Sequence, residues 1–186
     1  MDFTLTRNGM RTIPETHLEI LEILQKTFGD NFYVTGSLSL LLYGVIDRPI
    51  KDLDIILIVG KKKDFYEKVA HNLLSQANDD NGNDDCSDTG QSYECSLKVN
   101  GIKVDVFKFD IRTSKDLPLS WIVKVETKHI VIDGFKILEP KPSIDAKLKY
   151  IDFFTNEPTL DEVQRTKLKK HLLDVSDYYK WLTTKY

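Results

Sequence analysis

Little in the bulk composition would tie this chain to a membrane, a zinc cage or a long polyanion. Only two of its 186 residues are cysteine. Cys86 and Cys95 make neither a disulfide framework nor a C-x-x-C zinc pattern, so a reducing cytosol is the expected compartment. No apolar run reaches the roughly 20 residues of a membrane span. The opening Met1-Asp2-Phe3-Thr4-Leu5-Thr6-Arg7 lacks the charged-then-apolar layout of a signal peptide. An excess of one charge is missing too: 26 Lys and Arg against 29 Asp and Glu leave −3, with a pI near 5.8. Broad, non-specific binding to nucleic acid is therefore not expected, and a polyanion would have to be met locally. His17, His71, His129 and His171 show no metal-ligand spacing and receive no role. What is present, 41% hydrophobic and 30% charged residues, is enough for one core, or one core plus a small helical unit.

Apolar positions Ile13, Leu18, Ile20, Leu21, Ile23, Leu24 and Phe28 recur at helical spacing, with Pro14 suited to a first turn. Phe32-Tyr33-Val34 reads as a short strand, 37–43 as a helix and 53–59 as a second strand. An amphipathic helix is expected over 61–75. Residues 78–92 are polar and turn-forming throughout, the composition of a surface loop. Their acidity does not fit an EF-hand, because neither Gly82 nor Gly90 can take the sixth loop position with the right residues at the first and twelfth. Asn100-Gly101 between strand-like runs 93–99 and 102–109 predicts a hairpin with a type I′ turn, and a second hairpin is expected over 129–138 around Gly134. The remainder reads as helical, over 144–154 and about 160–182. The expected division is a core over 1–140 and a C-terminal helical unit over 141–186 packed on it.

The most informative segment is 34–54. An apolar run ends at Thr35-Gly36-Ser37 and another begins at Leu38, which reads as a strand turning sharply into a helix. Gly36 allows a close backbone approach, and Ser37 stands at a helix start whose free N–H groups hold anions. Asp52 and Asp54 then enter a strand at positions i and i+2, on one face and within several ångströms of one another. A hard divalent cation, magnesium or manganese, relieves their repulsion through oxygen ligands and keeps a place for substrate phosphates. Asp105, an acid amid the apolar run of a later strand, is the candidate third carboxylate of a two-metal site. Arg48 either reaches a phosphate or forms a surface ion pair beside Asp47.

Gly36-Ser37, then Asp52-Leu53-Asp54, then Asp105 resembles the signature of the DNA polymerase β-like nucleotidyltransferase superfamily. Arg48-Pro49-Ile50-Lys51-Asp52-Leu53-Asp54 is similar to the matching stretch of tRNA nucleotidyltransferases and AbiEii-type toxins. The run from Gly134 to Leu148 and Lys170-His171-Leu172-Leu173-Asp174 resemble the AbiEii-type C-terminal pattern, although His171 stands where an acid is more usual. The resemblance implies an α/β (α+β) fold, a mixed sheet flanked by helices with a C-terminal helical unit. It implies transfer of a nucleoside monophosphate from a nucleoside triphosphate to a hydroxyl on tRNA, protein or a small molecule. Gly36, Ser37, Arg48 and Lys147 would then contact the nucleotide, and Asp52, Asp54 and Asp105 would be catalytic metal ligands. An antitoxin-type protein partner is a further expectation. The alternative is the same fold kept as a binding module or scaffold without turnover.

Overall fold

The computed structural model describes residues 11–57, 85–88, 93–108 and 128–185. The helix expected over 61–75, and the ends of the strands expected to reach 59 and 109, lie outside the described residues.

The leading helix α1 (Glu15–Phe28) starts after Pro14 and buries Ile20, Leu21 and Leu24 completely. Strand β1 (Phe32–Thr35) follows and turns directly into the two-turn helix α2 (Gly36–Leu42), whose leucines are all buried. Strand β2 spans Asp52–Leu57. Next come β3 (Asp85–Asp88), β4 (Tyr93–Val99) and β5 (Ile102–Lys108). A hairpin of β6 (His129–Ile132) and β7 (Phe135–Leu138) leads into α3 (Pro140–Asn156) and α4 (Glu162–Lys185).

Both expected hairpins form. Asn100 and Gly101 have φ of 49° and 79°, Asp133 and Gly134 of 51° and 85°. Positive φ at both central residues is what a type I′ turn requires, because its twist matches that of the flanking strands. Strand β3 corrects the surface loop expected over 78–92 at 85–88, the rest of that stretch lying outside the described residues. Asp85 to Asp88 pair antiparallel with Ser96 to Tyr93. Polarity signalled the loop, but an edge strand needs only one paired neighbour and tolerates polar residues.

The seven strands among the described residues make one mixed sheet in the order β3-β4-β5-β2-β1-β7-β6. β1 runs antiparallel to β2, whereas β2 with β5 and β1 with β7 are parallel. Leu53 and Ile55 of β2 and Val104 and Val106 of β5 have no exposed surface and join one core with Leu38, Leu41, Val34 and Ile137. Alternation then sets Asp52, Asp54 and Asp105 on the side opposite these core residues. No helix among the described residues is long and apolar enough to cross a membrane.

Candidate functional site

Register assembles the site. Thr35 of β1 pairs with Asp54 of β2, Asp54 with Asp105 of β5, and Asp105 with Ser96 of β4. In-register neighbours point to the same face, so a polar row crosses four central strands. Asp105 is 8% exposed and accepts a hydrogen bond from Ser96 Oγ. Two residues along, Asp52 pairs with Lys103 in the sheet, and the Lys103 ammonium reaches back to Asp105 Oδ2 at 2.8 Å. Lys170 Nζ, from α4, lies 3.4 Å from Asp52 Oδ2.

Gly36 is pressed against this row. Its φ is +64°, and a β-carbon at this position would overlap the Asp54 carboxylate. Glycine is thus required twice, by backbone conformation and by space. The Gly36 N–H donates to Ser143 Oγ at 3.0 Å, and Thr35 Oγ1 lies 3.2 Å from the same oxygen. Ser143 of α3 therefore pins the turn from β1 into α2, and the Gly36 amide is already engaged.

Ser37, 4% exposed, lies 3.4 Å from the Arg48 guanidinium. Arg48 grips Asp174 of α4 with Nη2 at 2.8 Å from both carboxylate oxygens. Lys147 of α3 reaches Asp174 Oδ2 at 3.0 Å. Of the two readings of Arg48, the surface ion pair does not form: its partner is the buried Asp174, while the adjacent Asp47 pairs with Arg11 at 2.8 Å. The physical reason is burial, since Asp174 is only 1% exposed and needs two cations to be tolerated there. Arg48 and Lys147 thus stand beside the Gly36-Ser37 turn, held by one carboxylate.

Burial pushes the Asp54 carboxyl up to about 6, helped by the nearby charges of Asp105 and Asp52 against the opposing pull of Lys147. His171, one turn before Asp174, stacks on Tyr150 at 5.4 Å, and neither ring nitrogen has a hydrogen-bond partner among the described residues. Burial, reinforced by Lys147 and Lys167, lowers its pKa to about 4 and keeps it neutral. Position 171, where the resembled pattern favours an acid, is filled here by an uncharged ring.

Of the residues singled out in the sequence, Asp54 and Asp105 are direct neighbours, Gly36 abuts Asp54, and Asp52 sits two residues along β2. Arg48, Ser37 and Lys147 form the adjoining cluster. Among the described residues no three His, Cys, Asp or Glu side chains converge as a ready-made cation cage. The donor chemistry nonetheless fits a divalent cation: three carboxylates share one face, and burial with the neighbouring acids holds one of them well above its usual pKa. Sequence reasoning missed Lys103, Ser96 and Ser143 and left Asp174 without a role. Period-two alternation from Asp105 could have found Lys103; nothing local pointed to Ser143, 107 residues from Gly36.

No protein-family model matches the chain, and no curated protein matches it. Among solved structures, JHP933 from Helicobacter pylori is similar at 17% identity and a TM-score of 0.39, over 84% of this chain and 66% of that one. A candidate nucleotidyltransferase from H. pylori is similar at 16% identity and a TM-score of 0.37, over 90% of this chain and 83% of that one. The chain therefore spans about two thirds of the first of these proteins and most of the second.

Proposed function

We propose that this chain is a nucleotidyltransferase that moves a nucleoside monophosphate from a nucleoside triphosphate to a hydroxyl acceptor and releases pyrophosphate. The observation that carries the reading is the in-register pair Asp54 and Asp105 directly beneath Gly36. An acidic pair with one member's pKa pushed up to about 6 is a site whose charge calls for a cation.

Asp52, Asp54 and Asp105 would hold magnesium or manganese. When bound, the metal supplies charge stabilisation to the phosphates and acidifies the attacking hydroxyl. The chain's own residues do the rest. Gly36 lets the turn into α2 press against Asp54, which brings the start of the helix beside the acids. Ser37 offers a hydroxyl beside it. Arg48 and Lys147 bring two positive charges to the same edge, where they would steady the triphosphate and the departing pyrophosphate. Asp174 positions both of them. Lys103 and Lys170 compensate the acids while no cation is present. Positioning and electrostatics thus account for the reaction, with the helical unit of residues 141–186 closing over the cleft.

Within this class we favour an AbiEii-type enzyme, on the strength of Lys147 and Asp174 meeting at the site. Its acceptor would be a hydroxyl on tRNA, protein or a small molecule, and an antitoxin-type protein would be its regulator. One observation favours the rival reading of a binding or scaffold protein: Asp52 and Asp105 are already neutralised by Lys170 and Lys103. Calorimetry with a nucleoside triphosphate, with and without magnesium, separates the two. A transferase shows magnesium-dependent affinity that Asp54→Asn removes; a scaffold shows none.

A further inference from the structure

A cavity of about 420 Å³ lies at the opposite end of α2 from the acidic row, lined by Tyr43, the start of α3 and the last turns of α4. Gly36 begins α2 and Tyr43 caps its end, so at 1.5 Å per residue the two sites are about 10 Å apart along the helix. The volume is in the range that small-molecule sites occupy.

The walls have a definite chemistry. Trp181 and Tyr178 stack with ring centres 5.8 Å apart and planes 24° from parallel. The indole is fixed, because its Nε1–H donates to the Tyr43 carbonyl at 3.1 Å. The Lys185 ammonium lies 3.9 Å from the centre of the Trp181 ring. That cover is exposed and readily displaced, since a cation on an aromatic face in water is held only weakly. Lys128, 68% exposed, leans towards Glu139 at a loose 4.0 Å. Lys141 also lines the cavity, but Asp145 holds it at 2.6 Å.

A fixed aromatic platform recognises a planar ring. Two loosely held ammonium groups recognise an anion such as phosphate. Glu139 offers an acceptor for hydroxyl or amine hydrogens. We propose that this cavity binds a phosphorylated nucleoside, either free or at the end of an RNA strand, at a site distinct from the acidic row. The base stacks on Trp181, the phosphate lies between Lys128 and Lys185, and Glu139 accepts from the sugar or base. This inference does not depend on the transferase reading, because no residue of the acidic row takes part.

The test is equilibrium dialysis of the full-length protein in EDTA against each of the four ribonucleoside monophosphates and a short single-stranded RNA. At least one monophosphate, or the RNA, should bind saturably below about 5 mM. Lys128→Gln with Lys185→Gln, two exposed changes, should weaken that binding at least about tenfold. Asp54→Asn should leave it unchanged. RNA binding at least about tenfold tighter than the monophosphates marks a strand end as the source, and equal or weaker RNA binding marks the free nucleotide; both support the proposal. No saturable binding, binding that survives the double lysine change, or binding lost in Asp54→Asn overturns it.

Discussion

Gly36 and Asp54 constrain one another: the glycine exists in the form it does because the carboxylate occupies the space a side chain would need. Gly36→Ala should therefore destabilise the protein by about 1–3 kcal/mol, through a strained positive φ and an overlap relieved only by moving Asp54. Urea unfolding measures it. Asp54 itself is strained electrostatically. Its folded-state pKa, raised to about 6 from an ordinary 3.8, means the folded chain binds a proton more tightly than the unfolded chain. The stabilisation is full below about pH 4 and is lost as pH rises through 6. Asp54→Asn should thus raise metal-free stability at pH 7 to 8 by about 1–3 kcal/mol, seen as a higher Tm.

Among the elements, α4 ties the site together through Asp174, which holds Arg48 from the α2–β2 connection and Lys147 from α3. Asp174→Ala leaves two cations without their buried partner and should cost about 3 kcal/mol, read by chemical denaturation. His171 on the same helix gives an opposite pH signature to Asp54. Its pKa falls to about 4 from 6.5, so the unfolded chain binds the extra proton and stability is lost as pH drops from 6.5 towards 4. His171→Phe keeps the stack on Tyr150 and should remove that loss, flattening the acid limb relative to the wild type. Asp54→Asn should steepen it, and thermal melts across pH 4 to 7 distinguish the two.

The same elements show what the sequence could reveal. Asp52 and Asp54 were legible because a strand repeats every two residues, and the hairpins because Asn100-Gly101 and Asp133-Gly134 have the residues a type I′ turn needs. Gly36 was legible as a sharp turn. The Asp174 partners were not: Arg48 lies 126 residues away, and no local period encodes which arginine a buried carboxylate will find. Strand β3 was hidden for a different reason, since edge pairing satisfies backbone groups without requiring apolar side chains.

For the whole molecule, strand order is what turns separate acids into a site. β5 lies beside β2 although 44 residues separate Leu57 from Ile102, and only that parallel pairing makes Asp105 the neighbour of Asp54. A ligand that binds this assembled face and not the unfolded chain stabilises it by mass action. Magnesium with a nucleoside triphosphate should raise the Tm of the wild type by several degrees and leave Asp105→Asn and Asp54→Asn unmoved. Nucleotide transfer by these acids would be visible in mass spectrometry of cellular RNA and protein after expression of the wild type and of Asp52→Ala. Nucleoside monophosphate added to a defined RNA or protein, with the wild type alone, is the predicted result; identical products from both, under conditions where both chains fold, would contradict it.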